Sequence, residues 1–230
     1  MILHGSAGVG KTTVARAMCE EIGVNHLYIN ASKERGIDVL RTTMTSYAST
    51  ISLTGGRKVI ILDEADNMTA DAQLAFRGLL EEFSQNCTFI LTCNFKSKLI
   101  EAIQSRCPAV DFTIVGEERT EMAAQFYKRM KSILTAENIP FEQAALAKVI
   151  EKHFPDYRRC IGELQKFSKL GSIDAGVVAQ LSDIRKMEDL IQAMKLGKFT
   201  DMRKWVVTNS DVDPNKIYRK IYDSLYDYLK

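Results

Sequence analysis

Eight residues near the start of the chain have the types and spacing of a phosphate-binding loop. Gly5, Gly10, Lys11 and Thr12 satisfy the pattern G-x-x-x-x-G-K-[ST], with a short apolar run before it and a helical pattern after it. Glycines let the backbone curl so that successive amides face one phosphate, and the amino end of the following helix adds its positive dipole. Chance would give this pattern only about 0.01 times in a chain of this length.

The loop therefore predicts a site for ATP and Mg²⁺. We expect the Lys11 ammonium to reach the β- and γ-phosphates and the Thr12 hydroxyl to ligate the metal. The residues expected to bind the nucleotide in this loop are Gly5, Ser6, Ala7, Gly8, Val9, Gly10, Lys11, Thr12 and Thr13.

Polar side chains end two of the expected strands downstream. Asp63 and Glu64 directly follow the apolar run 59–62, and Asn94 follows the next strand. Asp63 is placed to hold Mg²⁺ through its water shell, and Glu64 to polarise an attacking water. Asn94 could hydrogen-bond that water or the γ-phosphate, although taken alone it would fit a turn. A solvated strand end would also explain the acids, but the phosphate loop upstream favours hydrolysis.

Short apolar runs alternate with helical periodicity through the first half of the chain, which predicts an α/β fold with a parallel sheet. The expected strands are Ile2 to His4, His26 to Asn30, Lys58 to Leu62, Thr88 to Thr92 and Val110 to Ile114. After Ile114 the strand signal stops and amphipathic helices follow. We predict three parts: a nucleotide-binding domain over 1–115, a small helical domain over 116–181, and further helices over 182–230.

The composition is that of an ordinary folded protein. The 230 residues are 46% hydrophobic and 26% charged, and the net charge is +2, so bulk basicity does not argue for nucleic acid. The five cysteines form no C-x-x-C pair, and no apolar run approaches the length needed to cross a bilayer. We expect a soluble cytoplasmic protein without membrane contact, in the host cytoplasm if the source is viral.

Read with the residues downstream, these motifs resemble the sliding-clamp loaders among the AAA+ ATPases. The acidic run at 63–66 matches the family's second nucleotide motif, Asn94 matches its first sensor, and the run Ser105-Arg106-Cys107 matches its serine-arginine-cysteine signature. The stretch 30–38 is similar to small subunits of replication factor C. The stretches 154–164 and 174–176 are similar to the large subunit of T-even-type phage loaders.

The resemblance implies an AAA+ P-loop fold with a five-stranded parallel sheet, a helical lid over 116–181 and a partial collar over 182–230. It also implies roles for residues that spacing alone would not single out. Arg106 is expected to act as an arginine finger on a neighbouring subunit's ATP, and Arg158 as a second sensor on its own subunit's ATP. Arg159, beside Arg158, leaves that register open. The expected catalytic set is Lys11, Glu64, Asn94 and Arg106.

The same resemblance implies the partners of the protein. They are other loader subunits in a pentameric ring, the sliding clamp and primer-template DNA, whose phosphates would meet Lys33, Arg35 and Arg41. A mixed solvated helix start would also explain these three side chains. The family carries a longer segment before its phosphate loop, so the resemblance predicts that an N-terminal segment is missing from this sequence.

Two other functions remain open at this point. The chain could belong to a different AAA+ DNA motor, such as a branch-migration helicase or a helicase loader. It could also be a non-hydrolysing structural member of such a ring, although the intact Lys11, Asp63, Glu64 and Arg106 argue against that.

Overall fold

The computed structural model describes residues 1–33, 37–50, 56–174, 176, 183–208, 214–215, 217–219 and 221–222. Within them, five strands form one sheet in the order β2-β3-β4-β1-β5, and every strand pair is parallel. The strands are β1 (Ile2–His4), β2 (His26–Asn30), β3 (Lys58–Asp63), β4 (Cys87–Cys93) and β5 (Ala109–Asp111). The prediction of a five-stranded parallel sheet is confirmed.

Helices connect the strands and then make up the rest of the described chain. They are α1 (Lys11–Ile22), α2 (Ile37–Ser49), α3 (Ala70–Glu82), α4 (Glu101–Gln104), α5 (Gly116–Ala136), α6 (Gln143–His153), α7 (Tyr157–Ser168), α8 (Asp183–Lys195) and α9 (Phe199–Thr208). Two short 3₁₀ helices, Ala65–Asn67 and Lys96–Lys98, follow β3 and β4. No described helix combines the length and apolar character that a membrane span requires.

The central strand β3 is buried along its whole length, which explains its unbroken apolar run. On one face of the sheet, Ile60 and Leu62 belong to a core that includes Phe76 of α3. On the other face, Ile61 packs in a second core with Ala15 of α1. Because all five strands are parallel, their carboxyl ends lie at one edge of the sheet, where α/β folds place ligands.

The helices α5, α6 and α7 enclose a separate core. Its buried members include Leu134, Leu146, Val149 and Leu164. Farther along, Leu190 and Ile191 of α8 form a small cluster against Met202 and Trp205 of α9, among others. The boundaries predicted at 115/116 and 181/182 stay a prediction. The sequence pattern also predicts a helix over 173–180, but most of that range lies outside the described residues.

The last strand is shorter than predicted. It ends at Asp111, whereas the sequence pattern extended it from Val110 to Ile114. The Asp111 carboxylate accepts a hydrogen bond from the Thr113 amide at 2.9 Å, which forms a local turn that competes with continued strand pairing. The sequence also predicts a short helix from Leu99. In the structure this helix, α4, begins at Glu101, because Leu99 and Ile100 are extended between it and the 3₁₀ helix Lys96–Lys98.

Candidate nucleotide-binding site

A cavity of about 350 Å³ opens at the carboxyl edge of the sheet, between the phosphate loop and helix α7. Ten of the residues predicted for the site line it: Ala7, Gly8, Gly10, Lys11, Thr12, Thr13, Asp63, Glu64, Asn94 and Arg158. The remaining loop residues are placed differently. Gly5 and Ser6 direct their carbonyl oxygens at Lys11, and Val9 is buried.

The phosphate loop leads into α1 with an uncapped helix start. Gly10 occupies the N-cap position with φ +93°, a conformation that side chains rarely adopt, and glycine has no side chain to bond the first amides of the helix. Free amides and the positive end of the helix dipole together favour an anion at this point. The residues present therefore fit the phosphates of a nucleotide.

Gly8 joins the phosphate loop to the helical domain. Its carbonyl oxygen accepts a hydrogen bond from the Tyr157 amide at 3.1 Å, at the first residue of α7. A Cβ at Gly8 would collide with the carboxylate of Asp156, and the φ of +78° independently disfavours any side chain. The glycine is thus required where helix α7 docks on the loop, in addition to any contact with phosphate.

Lys11 is buried, and its ammonium is held by three oxygen acceptors. They are the Gly5 carbonyl at 2.9 Å, the Ser6 carbonyl at 2.7 Å and Asn94 Oδ1 at 3.0 Å. Burial lowers the pKa of Lys11 below its usual value, and the Arg158 guanidinium acts in the same direction, while Asp63 opposes it. The cation is thus positioned between the loop and the end of β4.

Three hydroxyl groups surround the carboxylate of Asp63. Thr12 and Thr92 each donate to Oδ1 at 2.6 Å, and Tyr28 donates to Oδ2 at 2.7 Å. Burial opposes ionisation, but the hydroxyl donors and the Arg16 guanidinium outweigh it, so the pKa of Asp63 lies below its usual value. A hydroxyl and an ionised carboxylate beside a phosphate cradle are ligands that Mg²⁺ accepts, so these residues fit the metal.

Thr92 links the two acids and provides a test of this network. Its buried hydroxyl donates to Asp63 and accepts from the Glu64 amide at 3.1 Å. We expect Thr92→Val to lower the free energy of unfolding by about 1–3 kcal/mol, because both partners lose a bond in a buried setting. Urea denaturation measures this change, with Thr88→Val in the same strand as the matched control. Equal unfolding midpoints for the two variants would contradict the network.

Glu64 has an unusual backbone conformation for a residue with a side chain. Its φ is +55° and its ψ is 43°, in the left-handed region, where strain is often found at functional sites. The Thr92 hydroxyl bonds its amide, and Asn67 donates to Oε2 of its side chain at 3.2 Å. The side chain lines the cavity next to Asp63.

The structure separates the two arginines at the start of α7. Arg158 lines the cavity, while the Arg159 amide donates to the Asp156 side chain at 2.9 Å in an N-cap. Of the two arginines that the sequence could not distinguish, Arg158 is the one whose side chain lies at the cavity.

Arg106 lies apart from this cavity, just before the amino end of β5. Its guanidinium contacts Glu81 at 2.7 Å and donates to the Ala102 carbonyl at 2.9 Å, and the side chain is 40% exposed. Arg77 also contacts Glu81, at 3.3 Å. In a parallel sheet, the amino ends of the strands lie at the edge opposite the phosphate loop. Arg106 is therefore not among the residues that meet at its own chain's cavity.

The basic residues predicted to contact DNA are only partly described. Lys33 and Arg41 are exposed, one after β2 and the other in α2, whereas Arg35 lies outside the described residues. Their contact with DNA stays a prediction.

Five residues contribute to the site without having been predicted from the sequence. Tyr28 and Thr92 donate hydrogen bonds to Asp63, and Cys93, Tyr157 and Ile161 line the cavity. Thr92, a hydroxyl residue near the carboxyl end of a mostly apolar strand, was a usable signal. Nothing local marked Tyr28.

Two models of known protein families match consecutive parts of this chain. The family model described as ATPase family associated with various cellular activities (AAA) matches residues 1–113. A second model, the AAA+ ATPase lid domain of sliding-clamp-loader large subunits, matches residues 118–179. The chain belongs to the sliding-clamp-loader family of AAA+ ATPases.

Individual clamp-loader proteins are similar over most of this chain. The sliding-clamp-loader large subunit of Escherichia phage RB69 is 38% identical over 208 residues, which cover 88% of this chain and 65% of the phage protein. The replication factor C small subunit of Methanothermobacter thermautotrophicus is 34% identical over 237 residues, covering 98% of this chain and 72% of the relative. The chain thus spans about two thirds of its relatives' length.

Among solved structures, a Holliday junction branch migration motor, RuvB of Thermotoga maritima, superposes with a TM-score of 0.62. The match covers 86% of this clamp-loader chain and 68% of the RuvB chain, at 15% sequence identity. At that identity the likeness shows the AAA+ fold alone.

Proposed function

We propose that this chain is an ATP-hydrolysing subunit of a sliding-clamp loader, which uses ATP to open a ring-shaped clamp and place it on primer-template DNA. One observation carries the proposal. Side chains from the phosphate loop, the ends of β3 and β4, and helix α7 converge on one cavity in a chain whose lid region matches that of clamp loaders.

Within this site, the loop amides and Lys11 would bind the phosphates of ATP. Thr12 and, through water, Asp63 would hold Mg²⁺, which when bound neutralises charge on the β- and γ-phosphate oxygens. Glu64 would polarise the attacking water, and Asn94 would orient that water or the γ-phosphate. Arg158 at the start of α7 would contact the γ-phosphate, so that the lid closes when nucleotide is bound.

Arg106 would complete the site of a neighbouring subunit. The position of Arg106 supports a role in another subunit's site. Arg106 lies near the amino ends of the strands, whereas its own chain's cavity lies at their carboxyl ends. A planar, permanently charged guanidinium on an exposed position can stabilise the transition-state charge of another subunit's ATP. Hydrolysis then requires assembly, as in a pentameric ring of loader subunits.

ATP turnover, measured with either clamp and primer-template DNA or junction DNA added, distinguishes a clamp loader from another AAA+ DNA motor. For this chain assembled with its partner subunits, we expect turnover to rise when the sliding clamp and primer-template DNA are added together. Four-way junction DNA without a clamp should give no comparable rise. Stimulation by junction DNA, with indifference to the clamp, would overturn the proposal in favour of branch migration.

A further inference from the structure

The Tyr28 hydroxyl is the one donor to Asp63 that comes from strand β2. It meets Oδ2 at 2.7 Å, while Thr12 and Thr92 occupy Oδ1. The pairing of β2 with β3 explains how Tyr28 reaches Asp63. Asn30 lies opposite Asp63, and Tyr28, two residues before Asn30, is on the same face of the sheet. An aromatic side chain spans such a diagonal between neighbouring strands.

The position of the Tyr28 ring is fixed independently of its hydroxyl. The ring packs against the core between the sheet and α1, beside Ile61, and the Arg16 guanidinium lies 4.0 Å from its centroid. Thr12 and Arg16 are four residues apart on α1, so one face of this helix contacts both Asp63 and Tyr28. Packing of the ring against this core and against Arg16 therefore holds the Tyr28 hydroxyl at the Asp63 carboxylate.

We propose that Tyr28 is a positioning residue for the metal site, whose hydroxyl fixes the Asp63 carboxylate in the rotation that presents Oδ1 to Thr12. The inference rests on the proposed function, in which Thr12 and Asp63 hold Mg²⁺ beside ATP. With Oδ2 bonded to Tyr28, rotation of the carboxylate about its Cβ–Cγ bond would break a hydrogen bond to a charged group. Mutation of a residue that hydrogen-bonds to a metal-holding side chain typically changes metal affinity by about 10–100-fold.

The test is Tyr28→Phe, which removes one oxygen and keeps the ring over which Arg16 lies. We expect the Mg²⁺ concentration for half-maximal binding of a fluorescent ATP analogue to rise about tenfold. Binding of the analogue in EDTA should be unchanged, because Tyr28 is not among the residues that line the cavity. A merely structural role of Tyr28 would weaken binding both with Mg²⁺ and in EDTA. Weakened Mg²⁺-dependent binding with unchanged binding in EDTA would therefore support the positioning role.

The matched control is Tyr47→Phe. The Tyr47 hydroxyl is buried and meets no hydrogen-bond partner in the described part of the chain, so its removal should leave the Mg²⁺ dependence unchanged. In an Asp63→Asn background, Tyr28→Phe should cause no further shift, because the hydroxyl acts through that carboxylate. A tenfold shift that persists in this background would overturn the inference.

The outcomes also separate this inference from the proposed function. If wild-type binding depends on Mg²⁺ and Tyr28→Phe leaves that dependence unchanged, the positioning role is wrong and the nucleotide site stands. If the wild-type chain binds the analogue equally well with and without Mg²⁺, the proposed metal site itself is wrong.

Discussion

We expect Lys11→Ala to weaken ATP binding by about a hundredfold, because it removes the buried cation that would face the phosphates. In the structure this ammonium is held by three oxygens of the loop and the end of β4, so it is already at the cavity when it meets a nucleotide. Equilibrium titration with a fluorescent ATP analogue measures the change.

The matched control for this variant is Lys131→Ala, which removes an exposed lysine of α5 that does not line the cavity. Urea unfolding of both variants separates lost binding from lost folding. ATP affinity that is the same in Lys11→Ala, Lys131→Ala and the wild type would contradict the assignment of the phosphate site.

Arg106→Ala should leave ATP binding nearly unchanged and reduce turnover by roughly a thousandfold, the lower range for an arginine finger. The side chain is not part of its own chain's cavity, so its loss should act only where another subunit's ATP is hydrolysed. Steady-state turnover of the assembled loader measures the effect. Arg129→Ala, which removes an exposed arginine of α5, is the control.

Mixing the two inactive variants tests whether the arginine acts between subunits. Lys11→Ala retains Arg106, and Arg106→Ala retains an intact phosphate site. In rings that contain both variants, turnover should recover at interfaces where the Arg106 of a Lys11→Ala subunit meets the intact phosphate site of an Arg106→Ala subunit. No recovery in mixed rings, or full turnover by a monomer with Arg106→Ala, would show that the arginine does not act in trans.

The parallel sheet and the phosphate loop could be predicted because their signals are local. The run 59–62 is apolar throughout since β3 is covered on both faces, and the loop glycines are dictated by backbone geometry at Gly8 and Gly10. The end of β5 at Asp111 could not be predicted, because the residues after it keep the apolar and β-branched character of a strand, while the Asp111 side chain forms a local turn with the Thr113 amide.

The surroundings of Asp63 depend on which strands become neighbours, and that is a property of the whole fold. Tyr28 and Thr92 lie 35 and 29 residues from Asp63 in sequence, yet β2 and β4 pair with β3 on either side. The docking of α7 on Gly8 likewise joins residues that no periodicity relates. Local patterns thus identify the groups that would touch the nucleotide, and tertiary packing determines what holds them.

The most direct measurement is a crystal structure of this chain, with its partner subunits, bound to a non-hydrolysable ATP analogue and Mg²⁺. We expect the triphosphate on the amides that lead into α1, with the Lys11 ammonium on its terminal phosphates and the metal beside Thr12. An analogue bound elsewhere on the chain, with this cavity empty, would contradict the proposed site.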